Sequence, residues 1–178
     1  MKTIRLTPLL AALTLAFATT LNAAEKPLKR PATVDSHFSN EEILDESTLD
    51  IKILQDWHVD EVTGSTRQKL IEINVAEWWP GEDYRIPVRM IVPLEGKAKG
   101  FSITGANPYE GLMEDSRPTD FQAKLLAGGV GIVKTHVKAF RQIPGKRGLE
   151  QKMWRRFMGD LNPRYTTIWI WSMTLMRA

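Results

Sequence analysis

Hydrophobic and polar residues alternate along two neighbouring segments in the middle of the chain. A period of two predicts β-strands with one buried face. The segment between them, 78–83, contains Pro80 and Gly81, which interrupt strands and favour a turn. The two segments are therefore predicted to form a β-hairpin. Its apolar positions are Ile71, Ile73 and Val75 in the first strand and Ile86, Val88, Met90 and Val92 in the second.

Downstream of this hairpin, the pattern predicts strands alternating with helices. Residues 100–105 read as a short third strand. The nearly all-apolar segment 130–133, which runs on toward Val137, reads as a strand buried on both faces, as in a parallel sheet. Helices are predicted over 118–127, over 149–158 and from Asn162 onward. Their inward-facing residues would be Phe121, Leu125, Leu126, Met153, Trp154, Phe157, Ile168, Trp169, Trp171, Leu175 and Met176. An antiparallel hairpin followed by strand–helix alternation predicts an α/β fold.

Residues 1–23 follow the three-part pattern of a secretory signal peptide. Lys2 and Arg5 precede an uncharged, mostly apolar stretch, and the small residues Ala23 and Ala24 follow it. The apolar stretch is shorter than the roughly 20 residues of a transmembrane helix, although an uncleaved anchor is the alternative. No cysteine is present to carry a lipid. We expect a periplasmic or secreted protein without a stable membrane anchor, cleaved after Ala23 rather than Ala24.

The segment 24–56 is polar and charged, with two prolines near its start. It is predicted to be a linker that contains one short helix near Asn40–Glu46, capped by Ser39 or Asn40. Residues 57–178 are then predicted to form one domain with its own core.

Composition excludes several classes of protein. The absence of cysteine rules out disulfides, thiol catalysis and cysteine metal sites. The formal charge is +3, but Lys2 and Arg5 leave with the signal peptide, so the mature chain is nearly neutral and nucleic-acid binding is not expected. His37, His58 and His136 show no metal-binding spacing, so neither a metal nor another cofactor is expected.

A catalytic residue is not identifiable from the sequence. His136 follows a buried strand, where α/β folds bind ligands, but a single histidine there is more often a hydrogen-bonded structural residue. None of the serines lies in a G-x-S-x-G motif; they are Ser36, Ser39, Ser47, Ser65, Ser102, Ser116 and Ser172.

The loop after the third strand is the strongest candidate for a site. In serine hydrolases of the α/β class, a backbone N–H from this loop helps to bind the oxyanion of the reaction intermediate. Gly105, Ala106 and Asn107 are the candidate oxyanion-hole residues, because small residues let the backbone approach a substrate. The alternative is an ordinary tight loop.

Several motifs in the segment from Trp57 to Ala178 resemble a known family. They are Trp57-His58, Ile91-Val92-Pro93, the third strand 101–105, Phe140-Arg141-Gln142-Ile143-Pro144, and the final segment 171–178. The segment resembles the amino-terminal half of an α/β-hydrolase, and more narrowly the secreted PhoPQ-activated pathogenicity-related family. That family has Pro-Asn-Gln-Pro after the fourth strand where this chain has Ile143-Pro144-Gly145-Lys146, so another secreted α/β-hydrolase family is the alternative.

The resemblance implies a functional expectation. In this fold the nucleophile follows the fifth strand, and the acid and the histidine come later. All three would lie beyond Ala178, so the chain is expected to be the truncated front part of a secreted serine hydrolase, esterase- or peptidase-like, and inactive alone. The whole enzyme would act on a small ester, amide or carbohydrate ester. The alternative is a secreted, non-enzymatic binding module that uses Trp78-Trp79 and an Arg-rich helix as its contact surface.

Overall fold

A computed structural model describes residues 37–79, 81–137 and 148–178. The predicted signal peptide, the front of the predicted linker and the motif Phe140–Pro144 lie outside these ranges. Within them, no helix is long and apolar enough to cross a membrane.

The described residues form a mixed α/β fold built on a five-stranded sheet. The strands are β1 (Lys52–Val59), β2 (Thr66–Trp79), β3 (Glu82–Pro93), β4 (Gly100–Thr104) and β5 (Val130–Thr135). The helices are α1 (Asn40–Leu44), α2 (Asp120–Ala127), α3 (Leu149–Asp160) and α4 (Thr167–Arg177). Short 3-10 turns occupy Glu46–Thr48, Glu110–Leu112 and Pro163–Tyr165. The α/β prediction is therefore confirmed at this level.

The sheet order is β1-β2-β3-β5-β4. The pairs β1–β2, β2–β3 and β3–β5 are antiparallel, whereas β4 and β5 are parallel. The predicted hairpin is β2–β3, and the predicted buried strand is β5, which is inserted between β3 and β4. The chain therefore passes from an antiparallel hairpin to a parallel pair, and α2 connects the two parallel strands.

The predicted turn over 78–83 is wrong in extent, because the strands continue through most of it. β2 ends at Trp79 and β3 begins at Glu82, and these two residues are paired in the ladder. Gly81 has a φ of +75°, a left-handed conformation that glycine adopts without strain. Trp78 is buried in the core rather than exposed at a turn. The gain from burying a large aromatic side chain outweighs the tendency of Pro80 and Gly81 to end the strands early.

Strand β1 was not predicted, and residues 52–56 had been assigned to the linker. Its side chains are almost all exposed, because β1 is an edge strand. Its register against β2 shifts twice, between Ile53 and Gln55 and between Gln55 and His58. Each irregularity interrupts the alternation of residues between the two faces, so the strand carries no regular period of two.

Helices α3 and α4 cover one face of the sheet, which we call the helix face. The core there combines residues of β2, β3 and β5 with Met153, Trp169, Ile170 and Met173. On the opposite face, Leu126 of α2 packs against Ile91 and Ile132.

The helices were located correctly, but the prediction of their buried sides was partly wrong. Phe121 and Trp154 are 68% and 59% exposed, and Ile168 is also exposed. In α4 the buried positions are Trp169, Ile170, Met173, Thr174 and Arg177, which follow helical spacing. A helix packs on the sheet along one stripe of its surface, and apolar residues that lie outside this stripe remain in solvent.

The predicted helix starts are confirmed in part: Ser39 is a cap as predicted, whereas Pro118 and Asn162 both lie before the helices that they are predicted to begin, and α4 is capped by Thr166. Ser39 accepts a hydrogen bond from the Glu42 amide at the start of α1. A capping box between Thr119 and Gln122 starts α2, so Pro118 lies before the first turn rather than in it. Asn162 caps the 3-10 turn that precedes α4.

Candidate functional site

The loops that follow β4 and β5 meet at one edge of the sheet. Ala106 and His136 form an isolated antiparallel bridge, and the Val137 amide donates to the Gly105 carbonyl over 2.7 Å. Because the two strands are parallel, their carboxyl ends lie side by side. Ligands of open α/β sheets bind in this position.

Asn107 ties the two strand ends together. Its side-chain amide donates to the Thr104 carbonyl at the end of β4 (2.9 Å) and to the Thr135 carbonyl at the end of β5 (3.0 Å). Nδ1 of the buried His136 lies 2.9 Å from the carbonyl oxygen of Asn107. The edge of the Tyr109 ring packs on the His136 ring with centroids 5.7 Å apart. His136 therefore positions the loop, in agreement with its structural interpretation.

Gly105 is required for close packing. A Cβ at this position would lie 2.7 Å from both Val137 methyl groups and 2.8 Å from Cδ2 of Leu175 in α4. No side chain fits at that distance. Packing against α4 thus explains this glycine, and the oxyanion role of residues 105–107 stays a prediction.

A second group of polar residues lies beside these loops, on the face of the sheet opposite α3 and α4. At its centre is Arg89 of β3, which is fully buried. Its guanidinium donates to Asp115 Oδ1 (3.0 Å), to the Leu112 carbonyl (2.9 Å) and to Gln55 Oε1 (3.2 Å). Burial lowers the Arg89 pKa, and the charge of Asp115 partly offsets this effect. The segment 105–118, between β4 and α2, is thereby attached to the sheet.

Asp115 also binds a histidine from β1. Nε2 of His58 lies 2.8 Å from Asp115 Oδ1, and Nδ1 lies 3.0 Å from the Asp56 carbonyl. The Asp56 carbonyl and the Asp115 carboxylate raise the His58 pKa. Burial opposes ionisation of Asp115, but hydrogen bonds from His58 and from the Glu61 amide lower its pKa. Both His58 nitrogens are occupied in this way, so His58 is not placed to activate a serine.

Ser116 and Lys134 form the second part of this polar group. Nζ of Lys134 lies 2.6 Å from Ser116 Oγ, and the Lys134 side chain is buried, with 8% of the residue exposed. Lys134 is paired with Arg89 in the β3–β5 ladder. Burial, followed by the charge of Arg89, lowers the Lys134 pKa. Lys134 immediately precedes Thr135, so this pair adjoins the loop that Asn107 holds.

Gln68 fixes the backbone of Ser116 from both sides. Its Oε1 accepts from the Ser116 amide (3.0 Å), and its Nε2 donates to the Ser116 carbonyl (3.0 Å). Gln68 lies on β2 and is fully buried. Ser116 itself is partly exposed, at the border of the buried cluster.

The sequence does not single out Ser116 or Lys134, because neither lies in a local catalytic motif. Ser116 lies 18 residues before Lys134, and neither has a characteristic neighbour. One signal was present: Lys134 is a charged residue inside a strand predicted to be buried on both faces. Buried charges require a partner, so such a lysine marks a polar site. Arg89, between Val88 and Met90, gives the same signal.

In the ranges 37–79, 81–137 and 148–178, no group of three or more histidine, aspartate and glutamate side chains is arranged to bind a metal ion. The chain matches no protein-family profile. A search of curated proteins finds no significant match to it. The fold and this site define a mixed α/β protein with a polar cluster at the carboxyl ends of its parallel strands.

Proposed function

We propose that this chain forms the front part of a secreted serine hydrolase, esterase- or peptidase-like, from the PhoPQ-activated pathogenicity-related family or another secreted α/β-hydrolase family. Its substrate would be a small ester, amide or carbohydrate ester. The observation that carries the proposal is the passage from an antiparallel hairpin to the parallel β4–β5 pair, whose following loops are joined at one edge.

The loops that follow β4 and β5 are held together, and such a rigid backbone would favour a substrate-binding surface. Asn107 and His136 hold residues 105–107 through three hydrogen bonds to backbone carbonyls. An oxyanion site works because its donors are already in place before the reaction. The Gly105 carbonyl is turned toward Val137, so the proposal assigns the oxyanion contact to an N–H of this loop.

The unpaired outer edge of β4 favours the proposal that the whole protein has a larger sheet. β4 lies at the end of the strand order, and no other described strand pairs with that edge. Phe101 and Ile103 remain about half exposed there, at 53% and 44%. A further parallel strand would cover them and would bring its own following turn close to residues 105–107. In α/β-hydrolases the nucleophile lies on such a strand-to-helix turn.

The direct test is to read the gene past codon 178. The proposal expects a further strand followed by a G-x-S-x-G-like turn, and a stop codon directly after Ala178 would contradict it. The purified chain should show no sustained turnover of p-nitrophenyl acetate, whereas the product of the longer reading frame should. In that longer product, Asn107→Ala should lower kcat by up to about 100-fold, because a displaced loop misplaces the oxyanion donor. Ser172→Ala, far from this loop in sequence, serves as the control.

The alternative function is a secreted binding module. The indole of Trp154 is exposed and stacks on Phe157 with centroids 5.3 Å apart, and the neighbouring Arg155 and Arg156 are exposed. Trp78 is buried and is not available as a contact residue. This function requires the chain to fold alone, so cooperative thermal unfolding would support it. A molten chain that binds ANS would contradict it.

A further inference from the structure

Ser116 and Lys134 form a pair that the proposed triad chemistry does not use. A hydroxyl and an amine 2.6 Å apart have the geometry of a nucleophile and its base. Ser116 is a partly exposed residue, and Lys134 is a buried one.

The surroundings of Lys134 favour an uncharged amine. An ammonium group has three N–H donors, and Ser116 Oγ is the one hydrogen-bond acceptor that the described residues offer to Nζ. Arg89 lies beside it with a permanent positive charge, and the Asp115 carboxylate is already shared between Arg89 and His58. A charged Lys134 would carry a desolvated positive charge beside Arg89, without a carboxylate partner among the described residues, whereas a neutral amine avoids that charge and accepts the Ser116 proton.

Gln68 supplies the third member of the arrangement. It holds the Ser116 amide and carbonyl, and its Oε1 also accepts from Arg89 over 3.3 Å. The serine is thus fixed by a buried side chain on β2, and its base comes from β5. A nucleophile, its base and a group that orients the site are the features that activate serine in catalytic sites, and here the base and the orienting group lie on strands.

We propose that Ser116 is a reactive nucleophile activated by Lys134, and that it accepts acyl or phosphonyl groups from small activated esters. Ser116 Oγ bonds to the acyl carbon while its proton passes to Nζ of Lys134. With an ester, the bond to the leaving oxygen then breaks, and Nζ returns the proton to that oxygen. With a fluorophosphonate, the P–F bond breaks instead, and fluoride leaves while Nζ gives the proton to solvent. The products are an acyl-serine and an alcohol, and Lys134 is again a neutral amine.

This reactivity is independent of the proposed hydrolase function. It needs no residue beyond those described, and it predicts one acylation per chain rather than sustained turnover. A missing Ser116 adduct would leave the hydrolase proposal intact. A stop codon directly after Ala178 would refute that proposal and leave the Ser116 result intact.

The test uses a fluorophosphonate probe on the purified chain at pH 8, with intact-mass measurement and peptide mapping. We expect one adduct per chain, located on Ser116 and absent from Ser116→Ala. Lys134→Met removes the base while keeping an unbranched buried side chain, and it should slow labelling about 100-fold. Ser172→Ala is the matched control, because the Ser172 hydroxyl donates to a helix carbonyl over 3.0 Å, and labelling should be unchanged.

The labelling rate of the wild-type chain is also measured as a function of pH, so that the proposal is tested even if Lys134→Met does not fold. The charged groups around Lys134 are Arg89 from β3, Asp115 from the segment after β4 and His58 from β1. Of these, only His58 titrates near neutral pH, so the His58→Gln variant is measured in parallel. The labelling rate should reach half its maximum below pH 10.5, the ordinary lysine value, in both proteins. No adduct on Ser116 of the folded chain, or a profile centred at or above that pH, would overturn the proposal.

Discussion

Gly105→Ala tests whether the loop after β4 contains a glycine for packing or for ligand access. The added Cβ would lie 2.7 Å from two methyl groups of Val137 and 2.8 Å from Leu175 Cδ2. Gly105 does not have a left-handed φ, so the backbone itself accepts alanine. The cost is therefore steric, and the end of β5 and helix α4 must move apart to relieve it.

The expected loss of stability is about 2 kcal/mol, within the usual range for overpacking a core. For a domain of this size it lowers Tm by roughly 4–8 °C. Val137→Ala removes two of the three crowded contacts. In that background, Gly105→Ala should cost less than half as much, which gives a coupling energy of about 1 kcal/mol between the two positions.

Thermal and urea unfolding of the purified variants, followed by circular dichroism, measures both quantities. Gly159→Ala is the control, because a Cβ at Gly159 meets no atom within 4 Å and the position lies in α3. It should leave stability unchanged or raise it by about 0.5–1 kcal/mol. If Gly105→Ala unfolds at the wild-type midpoint, the packing explanation is wrong. Ligand access would then be the better reason for the glycine.

Three further predictions concern the buried groups. Burial raises the pKa of Asp60, but hydrogen bonds from two nearby threonines lower it well below its usual range. Asp60→Asn should therefore lower the free energy of unfolding by about 2 kcal/mol at pH 7 in urea, and the gap between variant and wild type should shrink in acid, where the wild-type carboxylate is protonated. The Asp56 carbonyl and Asp115 raise the His58 pKa, so His58→Gln should destabilise the chain at pH 5.5, and less at pH 8.5, where the stabilisation is lost in the wild type too. Trp169→Ala should cost about 3–5 kcal/mol in the same assay, whereas Trp154→Ala should cost less than about 1 kcal/mol, because only Trp169 is buried; equal losses would contradict the assigned orientation of these helices.

The central strands are predictable because apolar residues occupy every second position of 71–75 and 86–92, along the helix face. The prediction of one buried face is wrong for β3, because Arg89 and Ile91 on its opposite face are buried too. β5 is mostly apolar because both of its faces are covered. The helices are recognisable from apolar residues at helical spacing and, for α1, from the cap at Ser39, which is confirmed; Asn162 caps the 3-10 turn before α4 instead of α4 itself. In each case a local cause produced a local pattern, and no distant contact was needed to recognise it.

Other features depended on contacts that no local pattern records. β1 has two irregularities in its register and an exposed surface, so its residues carry no periodic signal. Trp154 and Phe121 are apolar and lie on helices, but their side chains remain in solvent. Which apolar residues a helix buries depends on its rotation relative to the sheet, and the sheet is assembled from distant segments.

The candidate site also has one part that a local pattern indicates and one part that depends on distant contacts. Residues 105–107 are singled out by a local feature, the small residues that follow a strand, and their oxyanion role stays a prediction. Ser116 and Lys134 come together only because the segment 105–118 folds back over the sheet. That return is determined by Arg89, which joins β3 to Leu112 and Asp115.

The buried charges have a structural consequence for both parts of this site. Replacing a buried ion pair by apolar side chains is often neutral for stability, so the Arg89–Asp115 pair need not be retained for stability alone. An apolar surface would, however, hold the segment 105–118 in several similar positions. Arg89 and Gln68 hold the segment in one position. Arg89 donates to the Leu112 carbonyl and to the Asp115 carboxylate, and Gln68 bonds to the Ser116 backbone, so five consecutive residues are fixed to the sheet by hydrogen bonds. We infer that this cluster specifies the path of the segment, so that the Ser116 hydroxyl at one end and the Asn107 loop at the other are held by side chains of the same sheet.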